Sequence, residues 1–463
     1  MTVNVVILAA GKGTRMYSTT PKVLHRIGGK PMLHHVIDTS LQCHAESIQV
    51  VIGYQAEQIQ DYFADQDVSQ RLNWVMQEEQ LGTGHAVQQA VPHLDCDSDD
   101  RVVLVLYGDV PLVKAETLKR LLALTDQQTP AILTLVTGNP AGLGRMVRDA
   151  SGELVAIVEE KDATEDQKKI TEINSGIMAI PARRLKGWLS NLKNDNKQAE
   201  YYLTDIVSMA VSDGCRVESE IIHDEVEVQG VNDKRQLAQL ERHYQQGLLE
   251  QLMAKGTTMR DPGRVDIRGS LECGKEVEID VNVVFEGAVS LQDNVYIGPN
   301  CVIKDAVIRS GARIFAGTNI EGAEVGCDAQ IGPSARLRPG TVLADQVKIG
   351  NFVETKNARF GKGSKANHLA YIGDATIGEG CNIGAGTIFC NYDGAHKHHT
   401  TLGDNVFIGS NSVLVAPVEI ESGGFVAAGS SINMKVPSDN LAVARGRQRN
   451  IEGWKRPVKD QGK

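Results

Sequence analysis

From about residue 265 onward, aliphatic side chains recur every six positions. Val325, Ile331, Leu337, Leu343 and Ile349 make one series; Ile377, Ile383 and Phe389 begin another that resumes at Leu402, Ile408, Leu414, Ile420, Val426 and Ile432. A hexad of aliphatic then small residues predicts a parallel β-helix with three short faces per turn, and three hexads close one coil of about 18 residues. Each inward aliphatic stacks on its counterpart one coil away, so the core becomes a pile of Ile, Leu and Val layers. Glycine follows Val325, Ile331, Ile349, Ile377, Ile383, Leu402 and Ile408, where it is expected to permit a corner that a Cβ would crowd.

The hexads cover only the second half. Residues 1–264 hold 19 glycines and residues 265–436 hold 24, or about 7% against about 14%, where an ordinary chain has about 7%. A boundary therefore falls near 265, and the chain's 463 residues suit two or three domains of about 100–200 residues each. The divisions read are 1–232, a linker helix at 233–256, and 257–463. Within the linker, Leu237, Leu240, Tyr244, Leu248 and Leu252 form one apolar stripe at three- and four-residue steps, with Gly256 and Pro262 beyond it. A coiled-coil dimer is the alternative, but three heptads are short for one.

Two phase slips interrupt the hexads, between Thr355 and Ile372 and between Asn391 and Thr401. Both are read as loops extruded from the coil, where sites tend to lie. The first holds Lys356, Gly361–Lys365, Asn367, His368 and Tyr371; the second holds Asn391–Gly394 with His396, His398 and His399. These three histidines lack acidic or cysteine partners at metal-site spacing, so a solvated loop is expected.

In the first half, Val3–Leu8 and Val102–Leu106 are nearly continuous apolar runs, the pattern of buried parallel strands, with helical patterns at Pro31–Cys43 and Ala115–Thr125. The alternation predicts an open α/β sheet that binds ligands outside the carboxyl ends of its strands. Gly11–Met16 follows the first strand. It is not a Walker A loop, and Met16 occupies the last glycine position of G-x-G-x-x-G, so a dinucleotide fold is not indicated. Lys12, Arg15 and Lys22 nevertheless concentrate positive charge beside it, suited to a triphosphate. Asp109 ends the second strand beside Gly108, where a carboxylate suits a Mg²⁺ that bridges phosphate oxygens.

The net charge of −10 argues against general binding of nucleic acid or anionic membrane. No apolar run reaches the roughly 18 residues of a membrane helix, and the opening residues lack the basic start of a signal peptide. Eight scattered cysteines without C-x-x-C suit reduced thiols in a cytoplasm.

Leu8-Ala-Ala-Gly-Lys-Gly-Thr-Arg-Met16 with Pro21-Lys22 resembles the signature of sugar-nucleotide pyrophosphorylases. Gln77, Leu81–Ala86 and Tyr107–Asp109 follow in that family's order. Gly144-Arg145, Val158-Glu159, Glu172–Asn174 and Gly230–Asn232 narrow the resemblance to the bacterial bifunctional N-acetylglucosamine-1-phosphate uridylyltransferases/glucosamine-1-phosphate N-acetyltransferases, over essentially the whole chain. That resemblance implies a Rossmann-like nucleotidyltransferase sheet domain, a linker helix and a left-handed parallel β-helix; the hand comes from the family and not from the period.

It further implies that UTP and its product are held by Leu8, Ala9, Ala10, Gly11, Lys22, Gln77, Gly82, Thr83, Tyr107, Gly108 and Asp109, with Gly144, Glu159 and Asn174 around the N-acetylglucosamine. Asp109 and Asn232 would hold Mg²⁺, and Arg15 and Lys22 would stabilise charge at the reacting phosphorus. In the second half, His368 would be the general base that deprotonates the attacking amine. Arg338, Lys356, Tyr371 and Asn382 would bind the amino-sugar phosphate, and Ala385, Asn391, Tyr392, Ser410, Ala428 and Arg445 would line the acetyl-CoA path. The resemblance also implies a homotrimer. The tail Arg445–Lys463, with seven basic residues, two acidic ones and Trp454, is solvated by default or lies against a neighbouring subunit. The rival readings are a pyrophosphorylase of other specificity with a non-catalytic β-helix, and a non-enzymatic scaffold.

Overall fold

The computed structural model describes residues 1–457; Lys459, Asp460 and Lys463 of the expected basic tail lie outside the described residues. Two compact units, Met1–Gln245 and Gln246–Lys463, divide the chain.

In the first unit, seven strands lie in the order Glu218–Ile222, Ala131–Val136, Glu172–Pro181, Arg101–Tyr107, Thr2–Leu8, Ser47–Ile52, Leu72–Met76. Thr2–Leu8 pairs in parallel with a strand on each side, so that Leu8 stands opposite both Val51 and Tyr107. The chain winds outward through Ser47–Ile52 and Leu72–Met76, then returns to the other side of its first strand. The crevice above Leu8 and Tyr107 is thus the topological switch point, where such sheets bind ligands. Glu172–Pro181 runs antiparallel to both neighbours, after a hairpin of Arg145–Arg148 and Leu154–Val158. Val5, Ile7, Leu104 and Leu106 pack into one helical layer, and Val6, Val103 and Val105 into the other. Burial on both faces is why these strands read as unbroken apolar runs.

A helix spans Lys234–Ala254. Leu237, Leu240 and Tyr244 join a small cluster with Met16, Ile27, Met32 and Val231. A side chain at Gly28 would meet the Tyr244 ring at 2.2 Å, and the Gly28 amide donates to Glu241 at 2.8 Å. Within the second unit, Leu248, Leu249 and Leu252 pack on its own core.

That core is a stack of short parallel strands. Ile279, Ile297, Ile314, Ile331, Ile349, Ala366, Ile383, Ile408 and Val426 lie directly over one another. Two further columns run from Phe285 and from Leu291. Cross-coil hydrogen bonds link residues 17 or 18 apart along most of the stack, and 25 apart at Glu379–Asp404.

Two expectations are corrected. The slip between Thr355 and Ile372 is not a loop: the coil continues through Glu354–Phe360, Lys365–His368 and Tyr371–Ile377. Thr355 takes the inward position between Leu337 and Ile372, its hydroxyl paired with Thr341 at 3.0 Å, and Phe360 and Ala366 fill the next two places. A satisfied threonine hides from an aliphatic period. Only the second slip is an excursion, closed at its base by a Tyr392–Lys397 bridge.

The glycines after the aliphatics do exclude a Cβ, as expected, but not through backbone conformation, since only Gly332 among the seven has a positive φ. They are required by the next coil's backbone: a Cβ on Gly350 would lie 2.0 Å from the Asn367 carbonyl oxygen, and one on Gly326 would lie 2.4 Å from the Ala344 carbonyl carbon. Left-handed positions in the coils fall on other glycines, such as Gly311 and Gly386, and on Asn and Asp, among them Asn300, Asp328, Asn357, Asp374 and Asn411, which tolerate that region better than other residues with a Cβ.

Candidate functional site

A cleft of about 270 Å³ opens at the switch point, lined by Leu8, Ala9, Ala10, Gly11, Lys22, Gln77, Gly82, Thr83, Tyr107 and Asp109. These ten expected residues come from four separate stretches of chain. Gln80 and Glu200 also line the cleft; no motif pointed to either. The Gly108 amide donates to the Leu8 carbonyl at 3.0 Å, and a Cβ there would press on Val23 and Ala9 at 3.2 and 3.3 Å. Gly108 thus lets the two strand ends close together.

Gly82 has φ of +110°, and a Cβ would sit 2.7 Å from the Tyr201 carbonyl, so both conformation and space demand glycine. Its own carbonyl accepts from Gln77 Nε2 at 3.3 Å, and the same amide lies 3.1 Å from His85 Nδ1. Gln77 is buried and held from two sides at the cleft wall.

Lys22 is the centre of the charged end. Its Nζ forms an ion pair with Asp109 Oδ2 and donates to Asn232 Oδ1 at 3.0 Å. The Asp109 carbonyl accepts from the Val231 amide at 3.0 Å, which brings Asn232 to the carboxylate. Arg15 behaves differently. It is exposed on the short turn Thr14–Met16, does not line the cleft, and forms no ion pair among the described residues.

Gly144, Glu159 and Asn174 gather apart from the cleft lining. A Cβ on Gly144 would lie 3.4 Å from Glu159 Oε1; the Asn174 amide donates to the Gly144 carbonyl at 2.9 Å, and Asn174 Oδ1 accepts from Gly176 at 2.9 Å. Glu159 lines a second hollow of about 320 Å³ with Asp162, Asn196, Tyr202 and Asp205. Burial pushes the Glu159 carboxyl above its ordinary range, against the Thr204 hydroxyl that donates to it at 3.1 Å. Tyr107, packed against Gly176, has its hydroxyl pushed well up by burial and by the charges of Glu159 and Asp109. It is electrostatically coupled to both groups of residues.

In the second unit, His368 is exposed at the end of Lys365–His368, over Asn351 of the preceding coil. Arg338 pairs with Glu354 at 2.8 Å, and Lys356 and Tyr371 lie on the next two coils, Tyr371 beside Glu354. Lys397, which sequence reasoning missed, approaches from the excursion: it and Arg338 depress the Lys356 ammonium below the usual lysine range. Asn391 is buried and donates to Asp374 Oδ2 at 2.5 Å, whereas Tyr392 is exposed. Asn382 pairs with Lys365 and Phe407.

Ala385, Ser410 and Ala428 form a column at one corner. The Ala385 carbonyl accepts from Asn411, the Ser410 carbonyl accepts from Gly429, and the Ala428 carbonyl accepts from Arg445 Nη1 at 2.7 Å. His398 engages Asp393 at 2.6 Å and His399 engages Thr376 at 2.9 Å. Among the described residues no set of three His, Cys, Asp or Glu is arranged to hold a metal.

A sheet with a charged cleft at its switch point, followed by a stack of hexad coils, defines a nucleotidyltransferase joined to a hexapeptide-repeat acyltransferase. Residues 5–175 match the MobA-like NTP transferase domain, 267–360 the GMPPB C-terminal domain, and 399–433 the hexapeptide repeat of succinyl-transferase. The chain is 56% identical over 459 residues to the bifunctional protein GlmU of Pseudomonas entomophila, covering 99% of each chain. It is 56% identical over 461 residues to that of Azotobacter vinelandii, covering 100% of each. It belongs to the GlmU family of bifunctional proteins, and is an enzyme with uridylyltransferase and acetyltransferase activities.

Proposed function

We propose that residues 257–463 acetylate glucosamine-1-phosphate from acetyl-CoA, and that residues 1–232 then couple the N-acetylglucosamine-1-phosphate to UTP, releasing pyrophosphate and UDP-N-acetylglucosamine. The observation that carries the second reaction is the reach of Lys22 Nζ to both Asp109 and Asn232 at the mouth of the cleft.

In uridylyl transfer, the sugar phosphate oxygen attacks the α-phosphorus in line as the bond to pyrophosphate breaks. The nucleophile is already anionic, so the protein needs no base, only positioning and charge neutralisation. Gln77 and the Gly82 backbone read the uracil edge, Lys22 and Arg15 meet the phosphates, and Gly144, Glu159 and Asn174 receive the N-acetyl sugar. Asp109 and Asn232 already present two oxygens to one cation, the ammonium of Lys22. Such hard donors, completed by substrate phosphates and water, suit Mg²⁺, which when bound would neutralise charge on the phosphates.

In acetyl transfer, the amine nitrogen of glucosamine-1-phosphate bonds to the thioester carbonyl carbon, its proton passes to His368, and the C–S bond breaks to free coenzyme A. Arg338, Lys356, Tyr371 and Asn382 hold the amino-sugar phosphate on one side. Ala385, Asn391, Tyr392, Ser410, Ala428 and Arg445 run along the coenzyme path.

We place the enzyme in the cytoplasm, where its eight free thiols stay reduced, and as a homotrimer. Self-association is supported by exposed aromatic surface on the coils: the Phe407 and Phe425 rings stack at 4.5 Å. Among the described residues no helix is long and apolar enough to cross a membrane. The test is direct. Thiol release from acetyl-CoA must require glucosamine-1-phosphate, and pyrophosphate release from UTP must require N-acetylglucosamine-1-phosphate; no thiol release with any amino-sugar phosphate sinks the acetyltransferase half.

A further inference from the structure

Among the described residues Arg145 is the largest fully buried side chain, 1% exposed. A buried guanidinium is costly unless its partners are well placed, so what it grips is informative. It lies in a hairpin strand, one residue after Gly144, opposite Val158. Nη1 donates to the Leu143 carbonyl, and Nη2 donates to Glu160 Oε2 at 2.6 Å and lies 3.5 Å from the Lys168 carbonyl. Leu143 immediately precedes Gly144, and Glu160 immediately follows Glu159. One planar, rigid cation thus ties together the outer flanks of the two residues whose contact forms the sugar side of the site, where Gly144 leaves only 3.4 Å between a would-be Cβ and the Glu159 carboxylate. Lysine, a point charge on a flexible stem, cannot reproduce this fork.

We propose that Arg145, paired with Glu160, is a positioning residue that fixes the spacing of Gly144 and Glu159 and so sets the affinity for the N-acetyl sugar phosphate. The inference rests on the reading of Gly144 and Glu159 as the sugar site. Arg145 does not line the uridine cleft, so its loss acts on one substrate and not the other.

The test is steady-state pyrophosphate release by the full-length enzyme, with both substrates varied. Arg145→Lys raises KM for N-acetylglucosamine-1-phosphate by about ten- to a hundredfold, the scale of an ångström-sized misplacement. KM for UTP and acetyl transfer stay at wild-type values. Glu160→Gln, which keeps a hydrogen bond and loses the charge, gives a smaller rise of the same kind and decides the matter if Arg145→Lys does not fold. An unchanged sugar-phosphate KM in folded variants, or an equal rise for both substrates, overturns the proposal. Glu159→Gln is the companion: if it raises the sugar-phosphate KM while the Arg145 and Glu160 variants do not, the positioning role alone fails. If none of the three moves it, the sugar-site reading itself fails.

Discussion

Lys22 forms an ion pair with Asp109, 87 residues further along the chain, while the same ammonium donates to Asn232 at 3.0 Å, 210 residues away. Three distant segments, all within Met1–Gln245, thus converge on one charged point at the cleft, and His368 belongs to the other unit of the chain. This separation makes the two reactions individually addressable.

Asp109→Ala lowers pyrophosphate release by about 10²–10³-fold, the usual cost of losing one electrostatic contact in a transition state, and leaves acetyl transfer intact. His368→Ala does the converse, lowering acetyl transfer by about 10²–10⁴-fold, the range of general-base catalysis. Loss of both activities from either change in folded protein refutes their independence.

Chelation separates them without mutation. With EDTA in excess, pyrophosphate release stops and is restored by added Mg²⁺, while thiol release from acetyl-CoA proceeds at its former rate. Equal inhibition of both assays contradicts the metal role given to Asp109 and Asn232.

Glu159 links activity to stability. Burial raises its carboxyl above the ordinary range, so the fold favours the protonated form. The stability it contributes is complete below the unfolded glutamate range of about 4.3 and is lost as the pH rises through the raised folded value. Glu159→Gln removes that loss. Its melting temperature is expected to exceed that of wild type at pH 7 and to approach it near pH 4, even as sugar binding weakens; a variant no more stable at pH 7 is evidence against the desolvated carboxylate.

Gly350→Ala tests the coil spacing. The added methyl meets the Asn367 carbonyl at 2.0 Å, a backbone atom with nowhere to go, and overpacking of this kind costs about 1–3 kcal/mol. Denaturant unfolding is expected to show an earlier loss of acetyl transfer with the uridylyl activity surviving to its usual concentration.

Much of this was legible in the residues because it is periodic or local. The hexad series places Ile331, Ile349, Ile383, Ile408 and Val426 on one column, and eight of the ten expected cleft residues sit in short glycine-bearing motifs, Lys22 and Gln77 being the exceptions. What stayed hidden depends on partners distant in sequence. Thr355 occupies an aliphatic place because Thr341 satisfies its hydroxyl, so the period seemed to break where the coil in fact continues. At Gly326 and Gly350 the cause of the glycine was hidden, because a sequence cannot show a neighbouring backbone 17 or 18 residues on. Lys397 and Asp374 lie in no motif and reach Lys356 and Asn391 only once the coil is wound. Arg145 read as one letter of a motif, and its burial reveals the grip on Leu143 and Glu160.

The excursion at Asn391–His399 has a further consequence. Ile408 lands over Ile383, Leu414 over Phe389 and Leu402 over Ile377, so the layers resume in phase as though nothing had been inserted. Changes at its exposed tip, Gly394–His396, therefore leave the aliphatic pile beneath undisturbed, whereas Asn391, bonded to Asp374, and Lys397, beside Lys356, tie the base of the outgrowth to the coils. An insertion at that tip would lengthen the outgrowth without shifting the layers that keep the coils folded.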